Sequence, residues 1–409
     1  MLYEKLNEIT GMKNVKRYVE AIPGENELKK IRKEYENDKI IEKINILNES
    51  LALNLKYIQP GNYDATEYAG NIENPIGISQ IPIGLAGPLS IQGSNARGKF
   101  YVPMATTEGA LISTYDLGAR LLQMSEPIKT EIIKNVIHIT AMFPFMEASD
   151  SQKIQDFVIQ NYKKIKVVAE KDSRHTTLLD IEQFIVKDNH LLKFKFDTSD
   201  AQGLNMINSA TFDACMYIKE NLGIDFYHRS HFSGVKHCSP MNRKEGYGRH
   251  VKASAIIPKK ALDRLNVSAR SLKDFCDRCH ECSEAAGIEM CNVHAANALS
   301  AIYLATGQDL ADISSSHVCV SNIELVNRAQ DLHWEVEIPN LLIATVGGGT
   351  KLFTQRECLR LMECEGSGKA DKLAEIIAAT VLAGEFPTAA AVVNKTYVDA
   401  HRKYANRKK

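Results

Sequence analysis

The stretch that most restricts what this chain can fold into is Lys369–Asn394, close to the C-terminus. It is rich in alanine and, as a helix, must be buried on several sides. A second long helical pattern, SARSLKDFCDRCHECSEAAGIEMCNVHAANALSAIYLATG, ends near Gly307. With 409 residues, the chain is long enough for two or three domains and a large core.

The residue pattern changes along the chain and suggests its domain organisation. Residues 1–60 carry apolar residues at three- and four-residue steps between charges, which predicts a small helical segment. Within 146–231, a helical pattern at Phe157–Lys166 precedes a second one at Gly203–Glu220. Three strand-like runs lie between these helices: IKVVAEK, TTLLDIEQFIVKDN and HLLKFKFDT. Strands with helices on one face form an α+β unit.

We therefore predict an α+β fold in three parts. The parts are a helical N-terminal segment (1–60), a large domain with a long central helix (61–145 and 232–409), and a small domain inserted into the large one (146–231). The glycine- and proline-rich run Glu73–Leu89 predicts short extended segments with tight turns, followed by a strand at Gly98–Val102.

Composition excludes several classes of partner. Lys+Arg and Asp+Glu both number 50, so no net charge attracts nucleic acid or acidic membranes. No apolar run approaches the ~20 residues that span a bilayer, and the charged N-terminus lacks the apolar region of a secretory signal. The odd number of cysteines, nine, without an export signal predicts a reducing cytoplasm.

Three of these cysteines, Cys276, Cys279 and Cys282, have a C-x-x-C-x-x-C spacing, with His280 among them and Cys291 beyond. Iron–sulfur or zinc ligation is one interpretation of such a spacing. On a straight helix, however, the three thiols share a face without surrounding one ion, and no second C-x-x-C supplies further ligands. We therefore predict thiols on a helix face and no metal.

One carboxylate, Glu108, stands in VPMATTEGALIST between threonines and a glycine. The pattern predicts a helix over Glu108–Met124, capped by Thr106 or Thr107, with the carboxylate in the first turn, where the helix dipole favours it. Alone, such a string is usually an ordinary helix start.

Several further strings accompany Glu108 in a fixed order. Upstream stands ENPIGISQIPIGLAGPL, and downstream stand DTSDAQGLNM, HAANALSAIYLATGQD, TVGGGT and a near-terminal histidine. From about Tyr68 to the C-terminus, this series resembles the catalytic domain of hydroxymethylglutaryl-CoA (HMG-CoA) reductases. That family reduces an acyl-CoA thioester to an alcohol with two hydrides from NADPH. The resemblance implies that the inserted small domain is ferredoxin-like and binds the nucleotide.

The resemblance also implies roles for individual residues. Glu108, Asp309 and His401 match catalytic residues, the histidine as the proton donor to the CoA thiolate, and Asn297, His294 and Ser233 fall on the substrate side. The expected nucleotide contacts are Asp200, Gly203, Asn205, Gly347 and Gly348. NADPH is the expected hydride donor, with NADH as an alternative. Family active sites form between subunits, so a homodimer or larger even oligomer is implied.

Three departures from the family pattern fall on the acyl-CoA side. The family lysine lies in an Asp-Lys string, and an ungapped comparison puts Pro240 there; Lys236, Arg243 and Lys244 are nearby cations. Pro144 stands where the family has a carboxylate-binding arginine. Tyr115 and Asp116 replace an Asn-Arg pair associated with CoA.

The predicted function is an NAD(P)H-dependent reductase of an acyl-CoA or related thioester, cytoplasmic, with HMG-CoA to mevalonate as the family reaction. The alternative is a relative with altered catalysis that uses the fold for binding or for a different, non-reductive reaction.

Overall fold

The helix predicted to be buried forms the centre of the larger of two compact units, 1–81 and 82–409. The computed structural model describes residues 25–59, 61, 64–173, 175–288, 291–293, 295–399 and 402. In the first unit, helices α1 (Glu25–Ile31) and α2 (Asn37–Leu51) are present, in agreement with the helical pattern. Their core is Ile40 and Ile44, and the buried Lys43 ammonium donates to three backbone carbonyls.

The second unit contains one six-stranded path and a side branch. The strands are β1 (Ile83–Gly93), β2 (Arg97–Ala105), β3 (Ile128–Pro144), β4 (Thr177–Val186), β5 (Asn189–Asp197), β6 (Gly248–Ile257), β7 (Val320–Val326) and β8 (Asp331–Leu341). The main path runs β2-β1-β3-β6-β8-β7; β1 and β3 pair in parallel, and the other pairs are antiparallel.

Helices of the second unit cover both parts of this sheet. They are α3 (Leu111–Leu122), α4 (Ala148–Glu170), α5 (Leu204–Leu222), α6 (Pro240–Glu245), α7 (Lys259–Arg264), α8 (Ala269–Ala285), α9 (Ala295–Thr306), α10 (Ile313–Ser316), α11 (Phe353–Leu361) and α12 (Ala370–Val393). The resulting mixture of helices and mixed sheet confirms the predicted α+β class.

The small domain has the strand and helix order of a ferredoxin-like fold. The second half of β3 pairs with β5, and β5 pairs with β4, all antiparallel. Tyr227 bridges Met142 on the other side of β3 and completes the order β4-β5-β3-Tyr227. Its core includes Ile139 and Phe143 of β3, together with side chains of α4 and α5. The predicted small domain, 146–231, does not include the second half of β3. Its limits remain a prediction.

Three predicted elements are corrected. The run IKVVAEK forms the last turns of α4 rather than a strand, because its apolar residues Ile165 and Ala169 recur at helical spacing and are buried. The long helix predicted to end at Gly307 is two helices, α8 and α9. Gly287 has a φ of 72°, a conformation that ends a helix. Glu108 precedes α3, which begins only at Leu111.

Helix α12 confirms the prediction of burial on several sides. Most of its residues are buried, and it packs against α3, α8, α9 and the main sheet. It is also the one helix among the described residues with the length and composition of a membrane span, with 83% of the tested window buried inside the protein. This run is longer and more apolar than the sequence analysis expected, and its burial is that of a core helix.

A buried glutamate of α12, Glu375, ties this helix to the turn between β1 and β2. Its carboxylate accepts hydrogen bonds from the backbone N–H of Ala96 (2.6 Å) and of Asn95 (3.1 Å), and from the Asn95 side chain (3.1 Å). These donors come from one turn and converge on a carboxylate with no solvent exposure. The interaction therefore fixes the β1–β2 hairpin on the core helix.

Replacing Glu375 by alanine is expected to lower the free energy of unfolding by about 3 kcal/mol, because the donors of Asn95 and Ala96 lose their buried acceptor. Urea unfolding followed by circular dichroism measures this change. Glu357→Ala, at an exposed position of α11, is the matched control and should stay within about 0.5 kcal/mol of the wild type. Equal stability of the two variants would contradict the role given to Glu375.

None of the nine cysteines forms a disulfide. Cys276, Cys279, Cys282 and Cys291 line one pocket of about 400 Å³ with apolar neighbours such as Trp334. Burial raises the pKa of Cys276 to about 12. Within the described ranges, no group of three or more metal-ligating side chains converges.

Candidate active site

Glu108 projects from a loop at the edge of a pocket. The Glu108 N–H donates to Thr106 Oγ1 at 3.0 Å, so the threonine caps this loop rather than the helix. Ala110, with a φ of 72°, then turns the chain into α3. The exposed Glu108 carboxylate accepts from Asn297 Nδ2 at 3.3 and 3.5 Å. The pocket, of about 330 Å³, lies between α3 and the end of α12.

Asp309 forms an ion pair with Lys236. Lys236 Nζ lies 2.7 Å from Asp309 Oδ2, and both side chains are a little over one-third exposed. The other carboxylate oxygen, Oδ1, accepts the N–H of Ala311 at 3.0 Å, which fixes its orientation. Asp309 is thus held in place although its side chain is partly exposed. The ammonium is therefore positioned at the surface of the site, where it can contact a ligand.

Two local features fix the conformation of the loop before α6, which carries Lys236. The buried side chain of Asn242 donates to the carbonyls of Ser233 (3.2 Å) and Gly234 (3.3 Å), which anchors the start of the loop. Lys236 has a φ of 58°, an uncommon conformation for a side chain larger than glycine. The backbone is thus constrained where the ammonium is displayed.

Lys236 is one of the three nearby cations that the sequence offers, whereas an ungapped comparison puts Pro240 at the position of the family lysine. Pro240 is the first residue of α6, and Ser239 caps that helix by accepting the N–H of Asn242 at 3.4 Å. A Ser-Pro pair is a helix-start signal, so the loop lysine had to come before Ser239. Lys236 is the only lysine between Gly234 and that cap.

The site has two halves, the Glu108–Asn297 contact and the Lys236–Asp309 ion pair, and they lie at opposite ends of α9. Asn297, next to Glu108, is in the first turn, and Asp309 follows the last turn, which ends at Thr306. Nine residues of helix separate Asn297 from Thr306 by roughly 14 Å. Within one chain, Glu108 therefore does not reach the Lys236–Asp309 pair.

The turn that carries Asp309 packs directly on the glycine-rich loop. A Cβ on Gly307 would lie 2.2 Å from the Gly349 carbonyl oxygen, so neither glycine tolerates a side chain. Gln308 adds two hydrogen bonds with the backbone of Ala344, at 2.7 and 3.0 Å. The string ATGQD thus brings its aspartate to a fixed place beside TVGGGT.

The loop Asp200–Asn205 lies next to the same glycine-rich segment, since the Thr345 N–H donates to the Asp200 carbonyl at 3.0 Å. The Asp200 carboxylate accepts the N–H groups of Gly368, Lys369 and Ala370 at 2.6 to 3.1 Å. It therefore caps the start of α12, a structural role that the sequence analysis did not expect.

The other predicted nucleotide-binding residues differ in their surroundings. Gly203, with a φ of 84°, is buried, and a Cβ there would lie 2.2 Å from the Thr198 side chain. Its need for glycine is thus explained by packing. Asn205 is exposed in the first turn of α5, and Gly347 and Gly348 are exposed with nothing within 4 Å of an added Cβ.

Ser233 is buried, and its Oγ accepts the Thr140 N–H at 2.8 Å, so a direct substrate contact would require this loop to move. His294 and His401 lie outside the described residues. Tyr115 is a core residue that packs on Gly384, and Asp116 pairs with Arg120 at 3.1 Å. Pro144 ends β3.

A family model described as hydroxymethylglutaryl-coenzyme A reductase matches residues 39–406 of the chain. The chain belongs to this family. HMG-CoA reductase of Methanocaldococcus jannaschii is 36% identical over 342 residues, which cover 81% of this chain and 84% of that protein. The enzyme of Pyrococcus abyssi is 34% identical and covers 95% of this chain and 99% of its own length.

The fold agrees with this assignment. The class II HMG-CoA reductase of Streptococcus pneumoniae, solved bound to NADPH in open conformations, aligns with a TM-score of 0.64 at 17% identity and covers 86% of each chain. Membership of the HMG-CoA reductase family confirms the predicted class of enzyme, an NADP-dependent oxidoreductase.

Proposed function

We propose that this chain reduces HMG-CoA to mevalonate and CoA with NADPH. The observation that carries the proposal is the Lys236–Asp309 ion pair at 2.7 Å. It supplies a cation where the ungapped comparison put Pro240, and so removes one of the three departures from the family pattern on the acyl-CoA side. Identities above 30% to HMG-CoA reductases over most of the chain support the same substrate. A different acyl thioester is the second candidate, because Tyr115 is a core residue and Asp116 pairs with Arg120, where a CoA-binding pair was expected.

The residues present fit a nicotinamide nucleotide. The first turn of α5, where Asn205 is exposed, offers backbone N–H groups and the Asn205 amide, which suit a phosphate. The open space beside Gly347 and Gly348 permits close approach of a ligand to the backbone. NADPH, when bound, supplies the hydrides.

The protein side of the chemistry follows from the charges. The Lys236 ammonium stabilises negative charge that develops on the carbonyl oxygen, and Asp309 keeps the ammonium in position. Glu108, oriented by Asn297, is the proton donor. For His401 we keep the role implied by the resemblance, protonation of the CoA thiolate.

We further propose a homodimer whose active sites lie between subunits. Its support is the separation of Glu108 from Lys236 along α9, which leaves each half of the site without the other in one chain. A second copy can place its own Lys236–Asp309 pair against Glu108. The cytoplasm is the proposed location, in keeping with nine cysteines that form no disulfide.

The test is a fluorescence titration with NADPH and NADH, followed by absorbance assays of nucleotide oxidation with HMG-CoA, acetyl-CoA and succinyl-CoA. Turnover of HMG-CoA above the other two thioesters supports the proposal. Turnover of acetyl-CoA or succinyl-CoA without turnover of HMG-CoA would favour the second candidate, a reductase of a different acyl thioester. Nucleotide binding without turnover of any thioester would favour a binding function.

The two ends of the loop Asp200–Asn205 are expected to respond differently to substitution. Asp200→Ala should lower the free energy of unfolding by about 1–2 kcal/mol through loss of the α12 cap. Asn205→Ala should leave stability unchanged and weaken NADPH binding by about fivefold to tenfold, through loss of one hydrogen bond. Thermal unfolding and fluorescence titration of both variants measure these effects. Unchanged stability of Asp200→Ala would contradict the capping role.

A further inference from the structure

We propose that Asp312 is a positioning residue for the reaction, which ties the nucleotide loop to the Lys236–Asp309 pair and acts in its neutral form. This inference rests on the proposed function. It adds a second carboxylate to the site, which neither the sequence motifs nor the comparisons assign.

The contacts of Asp312 join two loops. Its backbone N–H donates to the Asp309 carbonyl at 3.0 Å, so both carboxylates belong to one short turn. Its Oδ2 accepts a hydrogen bond from the side-chain amide of Gln202 in the predicted nucleotide loop. The Asp312 side chain is thus a direct link between the loop that would hold the nucleotide and the turn that holds the catalytic ion pair.

The environment of Asp312 disfavours its charge. The residue is 1% exposed, and its second oxygen, Oδ1, is buried without a hydrogen-bond partner among the described residues. A buried carboxylate with one unpaired oxygen is costly when ionised and less so when protonated. Burial, and then the charge of Asp309, raise the pKa of Asp312 to about 6, against the opposing effects of Gln202 and Lys236.

The groups that face Asp312 determine what its ionisation changes. They are the Asp309 carboxylate, the Lys236 ammonium, the Gln202 amide and the phenols of Tyr247 and Tyr303. Burial raises the pKa of both phenols, so they stay neutral. With Asp312 protonated, one ammonium balances one carboxylate; with Asp312 ionised, the cluster carries one net negative charge.

That extra charge opposes both ligand binding and chemistry. The nucleotide brings anionic phosphates, and hydride transfer creates negative charge on the carbonyl oxygen beside Lys236. A second carboxylate near this ammonium weakens its stabilisation of the oxyanion. The neutral form of Asp312 keeps the link to Gln202, because the carbonyl oxygen still accepts the amide, and it removes the repulsion.

The test compares the wild type with Asp312→Asn, which retains an acceptor for Gln202 but cannot ionise. NADH binding is measured by fluorescence between about pH 5 and about pH 8. NADH is used because the 2′-phosphate of NADPH itself titrates near pH 6. We expect the wild-type Kd to rise about tenfold across this range, and that of Asp312→Asn to stay constant. kcat/KM for the thioester should show the same difference, and Asp156→Asn, exposed on α4, should behave as wild type.

Parallel pH profiles of wild type and Asp312→Asn would overturn the inference and leave the proposed function standing. Failure of the wild type to bind either nucleotide would overturn both. If Asp312→Asn does not fold, Gln202→Met is the second test. It removes an amide that favours the ionised Asp312 carboxylate, so the pH at which the Kd for NADH rises should be higher than in the wild type. An unchanged pH for this rise contradicts the link.

Discussion

Replacement of Lys236 by methionine is expected to lower kcat with HMG-CoA by about 10²–10³-fold and to raise the Kd for NADPH by no more than about tenfold, because Asp309 is left without its counter-charge. Methionine keeps an unbranched side chain in the exposed loop but removes the ammonium that stabilises the developing oxyanion. Because the ion pair with Asp309 is more than one-third exposed, its loss should have little effect on unfolding. Steady-state assays and fluorescence titration measure the two quantities separately.

Lys244→Met is the matched control, since Lys244 is an exposed lysine on α6 only a few residues away. It should retain the activity of the wild type. A large loss of activity in Lys244→Met, with little loss in Lys236→Met, would assign the catalytic role to Lys244 and contradict the role proposed for Lys236.

Replacement of Glu108 by glutamine is expected to lower kcat by about 10²–10⁴-fold while nucleotide binding is retained. The amide preserves the size of the side chain and can still bond to Asn297, but it donates no acidic proton. Glu126→Gln, beyond the end of α3 and exposed, is the control and should be fully active. Equal loss of NADPH binding in Glu108→Gln would contradict a catalytic role.

Coexpression of the Glu108→Gln and Lys236→Met chains tests the placement of the site between subunits. If each site takes Glu108 from one chain and Lys236 from its partner, a mixed dimer has one intact site and one doubly altered site. Random pairing then restores about a quarter of the wild-type activity. If both residues act within one chain, the mixture stays as inactive as its two components.

The sequence predicted most of the elements because their patterns are local. The apolar periodicity of Lys369–Asn394 and the strands on either side of Lys187 needed no knowledge of distant residues. Errors arose where local patterns were ambiguous. IKVVAEK is consistent with either a strand or a helix end, and only burial of its apolar residues on the α4 face decides between them.

The residues of the site were harder to predict, because their roles depend on distant partners. Asp200 caps a helix that starts 170 positions later along the chain, and no local pattern indicates that contact. The Asp312 carboxylate accepts a hydrogen bond from Gln202, which is 110 residues away along the chain. The motif ATGQD indicated Asp309 directly, but Lys236 remained one of three candidate cations, since the shorter loop moves the lysine away from the spacing of the family motif.

The sharing of β3 by both sheets has a mechanical consequence. Its first part pairs with β6 and its second part with β5, and the pairing with β6 is irregular near Ile132–Lys134. Such irregularities bend and twist a strand. Any movement of the small domain relative to the main sheet would therefore be an elastic deformation of one continuous strand. Its amplitude would be limited by stiffness, whereas a hinge of flexible residues would permit free rotation.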